Sequence, residues 1–170
     1  MTGIRQICYG EKDPVGNRRT SRQVGWPGKG LKKPGGAAMR QFSVKTQARS
    51  QMIDITAQVR SILRESRVEN GICIVFIPHT TAAVTINENA DPDVPRDILT
   101  QLDKTIPLRG DYLHSEGNSA AHIKASLFGA SETVLVEGAS LVLGTWQSIF
   151  FCEFDGPRTR QVCVKIIPAS

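Results

Sequence analysis

The chain has 170 residues and a mass of 18.6 kDa, long enough for one domain with a hydrophobic core. Its net charge is +5. Its content of 40% apolar and 22% charged residues excludes general disorder and a collagen-like repeat. No apolar run approaches the roughly 20 residues that cross a bilayer, so we expect no membrane partner.

The positive charge is concentrated at the N-terminus. Residues 1–38 hold eight Lys or Arg and two acidic residues, a net charge of +6, whereas residues 39–170 have a net charge of −1. A nucleic-acid-binding domain usually carries a basic face. Because the rest of the chain is slightly acidic, we expect no nucleic-acid partner.

Residues 1–38 are predicted to be disordered, because they contain eight of the 15 glycines and show no strand or helix period. Two interpretations remain: a basic arm for an anionic partner, or non-native sequence ahead of a true start. Met39 stands where the globular pattern begins and favours the second. The segment lacks the apolar stretch of a secretory signal, so a cytoplasmic location is expected.

The four cysteines are Cys8, Cys73, Cys152 and Cys163, and none of their spacings matches a short metal motif. Three of them lie in apolar, strand-like runs, where Cys behaves as a small buried hydrophobe. We therefore expect free thiols, without disulfides.

The first half of the domain alternates between strand and helix patterns. Strands are predicted over residues 42–46 and 52–56, followed by a helix capped by Thr56 and stopped at Asn70-Gly71. Residues 72–77 are apolar at every position, which is typical of a central strand covered on both faces.

Residues 80–87 predict a further strand, and two helices follow it. Asp91-Pro92 opens the first of these, and Pro95 fits only in its first turn. Its buried stripe is Val94, Ile98, Leu99 and Leu102. The second helix is predicted over residues 117–128, with Ile123 and Leu127 inward.

Strands complete the chain over residues 133–137, 141–143, 146–154 and 160–167, with turns at Gly138 and Asp155-Gly156-Pro157. Most strands are adjacent in sequence, and two or three helices are inserted among them. This order predicts an α+β fold with a largely antiparallel sheet.

The domain contains three histidines, at strand ends or on polar surfaces. His79 follows a predicted strand, His114 lies in a loop, and His122 shares a helix face with Asn118 four residues earlier. Each alone is more often an ordinary surface residue. All three in such positions are candidates for a site.

Other polar residues surround these histidines in sequence. Each has a structural interpretation beside the functional one: Asp91 as a helix cap, Glu88 as a solvated acid, and Glu153 in an ion pair with nearby arginines. The candidate binding residues are Thr80, Asn89, Asn118, Gln147 and Arg158.

These residue types suit two chemistries. Imidazoles, hydroxyls, arginines and a helix N-terminus favour a phosphate or another oxyanion. Three histidines could equally hold Zn²⁺ with an open fourth position, although their spacings of 35 and 8 residues match no short zinc motif. No P-loop, dinucleotide fingerprint or nucleophile elbow is present.

Three stretches resemble motifs of a known family: PHTTAAVTINENADPDVPRD (residues 78–97), HSEGNSAAHIKASLFG (114–129) and GTWQSIFFCEFDGPRTRQVCVKI (144–166). Together they resemble the YjbQ-like family, small proteins long regarded as uncharacterised. Some members are described as secondary thiamine-phosphate synthases. The resemblance runs from about residue 39 to 167.

The resemblance implies an antiparallel β-sandwich with inserted helices, assembled as a homotrimer with pockets near the subunit interfaces. It also implies that a small phosphorylated metabolite is the partner. The residues that match motif positions are His79, Thr80, Glu88, Asn89, His114, Asn118, His122, Gln147, Glu153 and Arg158.

We consider three functions. The first is thiamine-phosphate synthesis from hydroxymethylpyrimidine pyrophosphate and thiazole phosphate, in which the three histidines and Arg158 neutralise the leaving group. In this case Glu88 or Glu153 would hold Mg²⁺. The second is a zinc hydrolase with His79, His114 and His122 as ligands and Glu88 or Glu153 as the general base. The third is a binder of phosphorylated metabolites that performs no reaction.

Overall fold

A computed structural model describes residues 38–169, which form eight strands and three helices. The prediction for residues 1–37, with Cys8, lies outside the described residues. The elements, in chain order, are β1 (Arg40–Lys45), β2 (Gln51–Asp54), α1 (Thr56–Ser66), β3 (Gly71–Phe76), β4 (Ala82–Glu88), α2 (Asp93–Thr105), α3 (Ser119–Phe128), β5 (Ser131–Glu137), β6 (Ser140–Leu141), β7 (Gln147–Glu153) and β8 (Thr159–Pro168).

The strands form two antiparallel sheets, which confirms the predicted α+β class. One sheet has five strands in the order β1-β8-β3-β5-β6, and the other has three in the order β2-β7-β4. Their facing side chains, including Val75 and Val164 from the first sheet and Val84 and Phe151 from the second, form one apolar core. Burial of this core supplies the main driving force for folding.

Strand β7 is buried on both faces because it lies between two apolar layers. Ile149 and Phe151 point into the core between the sheets, whereas Phe150 and Cys152 pack against α3 on the outside. Successive side chains of a strand point to opposite faces, which places these two pairs in different layers. The three-stranded sheet is therefore the middle layer, and α3 covers its outer face.

Helix α1 begins where it was predicted to, but a different residue binds its first amide. Asp54 Oδ1 accepts a hydrogen bond from the Thr56 amide at 2.8 Å, while the Thr56 hydroxyl accepts one from the Ile149 amide at 2.8 Å. Thr56 therefore joins α1 to β7 and does not cap the helix. The helix also ends earlier than Asn70-Gly71, at Ser66, followed by Arg67 in the left-handed conformation.

The other two helices differ from their predicted burial. Ile123 and Leu127 of α3 are exposed, at 40% and 67%, and the buried positions are instead Ala120, Ala121, Lys124 and Ala125. Small residues let α3 lie close to the sheet, which was not expected from a search for large apolar side chains. Helix α2 has no fully buried residue, although Leu99 and Leu102 pack against the apolar cluster between α3 and β7. Pro95 lies in the first turn of α2, as predicted. Within residues 38–169, no helix is long and apolar enough to span a membrane.

Strand β3 is central in the five-stranded sheet, as predicted, but residues 38–169 cover only one of its faces instead of the expected two. Cys73 and Val75 are fully buried on the inner face, whereas Phe76 on the outer face is 39% exposed. Cys73, Cys152 and Cys163 are free and buried, as expected, and burial raises the pKa of the Cys73 thiol to about 11.

Candidate functional site

Two of the three histidines form a pair at the start of α3. His114 lies in the preceding loop and His122 in the first turns of the helix, with ring centroids 5.4 Å apart and planes at 85°. Both rings adjoin a cavity of about 490 Å³, whose lining residues are Asp111, Tyr112, Leu113, His114, Ser119, His122 and Ile123. Of the three histidines predicted for the site, residues 38–169 bring only these two together.

Asp155 is the centre of a polar cluster beside the first residue of α3. Its Oδ2 atom accepts hydrogen bonds from Arg158 Nη2 at 2.7 Å and Asn118 Nδ2 at 3.1 Å, and Oδ1 accepts one from Arg49 Nη1 at 3.4 Å. Burial alone would raise the pKa of Asp155. The hydrogen bonds from Asn118 and Arg158, with the two arginine charges, outweigh burial and lower that pKa.

The N-terminus of α3 has unpaired polar groups. Asn118 precedes the helix but makes no side-chain cap, and its Oδ1 atom is buried without a hydrogen-bond donor among residues 38–169. Buried polar atoms in proteins nearly always have a partner. The first N–H groups of any helix also lack intrahelical acceptors and attract anions. This end of α3 is therefore suited to a polar ligand.

Glu153 forms a buried ion pair with Arg160. The carboxylate is fully buried and accepts hydrogen bonds from Arg160 Nε at 2.7 Å and Nη2 at 2.6 Å. It also accepts hydrogen bonds from the Phe154 and Asp155 amides and from the Thr46 hydroxyl. A carboxylate whose oxygens are all engaged is poorly placed to move a proton or hold a metal. The geometry favours the structural interpretation of Glu153 over the catalytic one.

His79 lies near this ion pair and takes part in the sheet. Its Nε2 atom accepts a hydrogen bond from the Gln161 amide at 2.9 Å, so the imidazole continues the β8 ladder where β3 has ended. Desolvation lowers the pKa of His79, and the positive charge of Arg160 lowers it further. The nearby Glu153 charge and the Gln161 hydrogen bond raise the pKa but do not offset this lowering, so the environment favours neutral His79; Thr80 beside it is exposed.

Three predicted site residues lie at the opposite end of the β4–β7 pair. Glu88 pairs with Gln147 at one end of these strands, whereas Ala82 pairs with Glu153 at the other. Seven-residue strands separate the two ends by roughly 20 Å. Gln147 Oε1 accepts the Gly144 amide at 2.8 Å, and Asn89 Nδ2 donates to Asp54 Oδ2 at 2.8 Å. Gln147 therefore stabilises its own loop, and Asn89 joins the end of β4 to the end of β2.

The expected metal set of His79, His114, His122 and Glu88 does not assemble within one chain. No three His, Cys, Asp or Glu side chains of residues 38–169 come together in a way that could hold a metal ion. The reason is topological: β4 leads the chain away from His79, so nearness in sequence does not become nearness in space. The donor set does not fit Zn²⁺ or a carboxylate-held Mg²⁺.

The structure also places two cationic residues near α3 that the sequence interpretation did not select. Lys124 is buried at 4% exposure, and Arg49 reaches Asp155 from the loop after β1. A signal for Lys124 was present, because it lies four residues after Ala120 and next to Ala125 on the face made of small residues. Arg49 carried no comparable signal, since only the tertiary structure brings it to α3.

Comparison with known proteins gives consistent matches over the described residues. Residues 40–169 match the family model described as UPF0047 protein YjbQ-like. A UPF0047 protein of Methanocaldococcus jannaschii is 51% identical over 126 residues, 74% of this chain and 91% of that one. The UPF0047 protein YugU of Bacillus subtilis is 49% identical over 130 residues, 76% and 98% of the two chains.

Solved structures give the same result. An uncharacterised conserved protein of the YjbQ/UPF0047 family from Clostridium acetobutylicum has a TM-score of 0.75 and 59% identity, covering 75% of this chain and 99% of that one. A YbjQ-like protein of unknown function from Sulfolobus solfataricus has a TM-score of 0.75 at 35% identity, covering 78% and 98%.

Proposed function

The chain belongs to the UPF0047 YjbQ-like family, and we propose that it has secondary thiamine-phosphate synthase activity. It would couple hydroxymethylpyrimidine pyrophosphate with thiazole phosphate and release pyrophosphate. The observation that carries the proposal is the His114–His122 pair, which faces one cavity at the start of α3. Imidazole N–H groups and helix N-terminal amides are donors suited to a pyrophosphate.

The difficult step is departure of pyrophosphate from the benzyl-like carbon of the pyrimidine. The carbon–oxygen bond breaks and its electron pair leaves with pyrophosphate, while the thiazole nitrogen forms the new carbon–nitrogen bond. Donors aimed at the leaving group neutralise the charge that accumulates there. His114 and His122 would donate to it.

Arg158 would support these donors at the same end of α3. Its hydrogen bonds to Asp155 through Nε and Nη2 fix the guanidinium in place. A guanidinium carries five N–H donors, so others remain for an oxyanion. Asn118, which donates to the same carboxylate, would keep Asp155 and Arg158 in position at the start of α3.

No step of this mechanism passes through a metal, because the donor set of the described chain does not fit one. The metal-dependent hydrolase therefore has no observation in its favour. The non-enzymatic binder of phosphorylated metabolites remains the alternative, since the same cavity and donors would serve it. Turnover distinguishes the two.

The test is formation of thiamine phosphate from the two purified substrates. We expect His122→Ala to lower kcat/KM by about 10²-fold, the usual loss of a group that handles a proton or charge in the transition state. Thr100→Ala is the matched control, because Thr100 is exposed on α2, its hydroxyl donates only to the Arg96 carbonyl, and it does not line this cavity. Equal rates in His122→Ala and the unaltered protein would contradict the proposal. Thermal stabilisation by pyrophosphate without any product would favour the binder.

We also propose that the protein is a homotrimer. The outer face of the five-stranded sheet leaves Phe76, Leu135 and Ile167 exposed, and large exposed apolar patches mark association surfaces. A cytoplasmic location, a small phosphorylated metabolite as the partner and the absence of nucleic-acid and membrane partners stay predictions.

A further inference from the structure

A second cavity, of about 350 Å³, lies on the other side of α3 from the histidine pair. Two cationic side chains, Lys124 and Arg49, enter it, together with one acidic side chain, Asp103. Its remaining lining residues are Ser50, Leu108, Ala120 and Phe154. A cavity that combines two cations, a hydroxyl and apolar walls favours a small anion.

Lys124 is the central group of this cavity. Its side chain is only 5% exposed, and among residues 38–169 its ammonium group donates to Asp103 Oδ1 alone. An ammonium group has three donors, and burying them without acceptors is costly. Asp103 comes from α2 and is 60% exposed, so most of its carboxylate stays in water. Lys124 thus keeps two donors for a further acceptor in the cavity.

Arg49 is also only loosely engaged. Its single contact with Asp155 is 3.4 Å long, whereas strong charge-assisted hydrogen bonds are about 2.8 Å. Asp155 has a closer cationic partner in Arg158 at 2.7 Å. Because Asp155 is already paired, Arg49 can turn toward an anion in the cavity without leaving that carboxylate unpaired.

The two cavities adjoin different faces of α3. Ser119, His122 and Ile123 line the first, and Ala120 and Lys124 line the second. At 100° per residue these two sets lie roughly 120° apart around the helix axis. No residue lines both cavities, so the second can bind a ligand whether or not the first performs chemistry.

We propose that the cavity lined by Lys124 and Arg49 is a separate binding site for a phosphate group. The ligand's oxygens would accept hydrogen bonds from Lys124 and Arg49 and, through the cavity mouth, from the Ser50 hydroxyl. Asp103 competes with the ligand for Lys124 and is displaced when the phosphate enters. This inference goes beyond the thiamine-phosphate synthase activity and does not depend on it.

The experiment measures binding of inorganic phosphate by isothermal titration calorimetry, in chloride buffer of matched ionic strength. The full-length His122→Ala protein serves as the reference, so that binding at the histidine pair is weakened equally in all samples. Lys124→Met in this background should weaken binding by at least about tenfold, the loss of a hydrogen bond to a charged group. Asp103→Asn should strengthen it by roughly threefold, because a competing exposed carboxylate is removed.

The controls separate this site from other effects. Lys45→Met removes one exposed Lys from β1 and should leave the affinity unchanged, so it corrects for the net charge. Asp103 is exposed, which keeps Asp103→Asn informative even where Lys124→Met fails to fold. Unchanged binding in Lys124→Met, or weaker binding in Asp103→Asn, would overturn the inference. Neither result bears on turnover at the histidine pair, which is tested separately.

Discussion

At the scale of single residues, two neighbouring carboxylates of similar chemistry have different environments. Glu153 is fully buried and faces Arg160 through two hydrogen bonds, whereas Asp155 lies beside α3 and is shared by Asn118, Arg158 and Arg49. A buried charge needs a complete set of partners. Glu153 therefore holds strands together, while Asp155 positions the groups near the candidate site.

Glu153→Gln is expected to lower the free energy of unfolding by about 3–5 kcal/mol, because it leaves the buried Arg160 guanidinium without a counter-charge. Urea unfolding followed by circular dichroism measures the change. As a control, Glu137→Gln changes an exposed residue at the end of β5 and should change the free energy of unfolding by less than about 0.5 kcal/mol. An equally small change for Glu153→Gln would show that the ion pair is not structural.

At the scale of secondary-structure elements, close backbone approach fixes the register of the five-stranded sheet. Gly71 begins β3 and pairs with Pro168 of β8. A Cβ atom at this position would collide with the Ile167 carbonyl oxygen and lie 2.9 Å from Pro168 Cα. Only glycine lets the two strands meet here, because the obstacle is backbone and cannot move aside.

Gly71→Ala is expected to destabilise the protein by about 3 kcal/mol, at the upper end of overpacking costs. Gly138→Ala is the matched control: Gly138 has φ of 53°, but no atom lies within 4 Å of the place that a Cβ would take. Only the left-handed backbone cost of about 1 kcal/mol therefore applies there. Thermal unfolding of both variants measures the difference. Equal losses of stability in the two variants would mean that β3 and β8 can move apart at little cost to accommodate a Cβ atom at position 71.

At the scale of the whole molecule, residues 38–169 leave the outer face of the five-stranded sheet uncovered. The strand register places Leu135 of β5 and Ile167 of β8 on either side of Ile72 in β3. Leu135 is 62% exposed. A row of apolar side chains across three paired strands is what an association surface requires, and a closed trimer would bury it against a different surface of the next subunit.

Leu135→Glu is therefore expected to convert the proposed trimer to a monomer, because it places a charge in the apolar row. Analytical ultracentrifugation measures the mass in solution. Asp97→Lys reverses an exposed charge on α2, which packs beside β2 of the other sheet, and should leave assembly intact. A monomeric unaltered protein would contradict the trimer proposal, and a trimeric Leu135→Glu protein would place the interface elsewhere.

Much of the fold followed from local patterns in the sequence. The order of strand and helix patterns predicted the α+β class, and turn residues such as Gly138 marked the strand ends. The buried face of α3 was missed because it consists of alanines and Lys124, whereas Ile123 and Leu127 are exposed. A large apolar side chain is therefore not always buried: here the helix packs through its small residues, because they let it come closer to the sheet.

The amino-acid sequence alone determined which side chains are present, predicted the α+β class and contained the family motifs. Which of these groups meet became known only from the folded chain. Folding joined His114 to His122, placed His79 on the sheet ladder, and left Glu88 at the far end of β4. Local patterns arise from neighbours within a few residues, whereas a site is formed by strands that pair across long stretches of chain, and that pairing depends on the packing of the whole core.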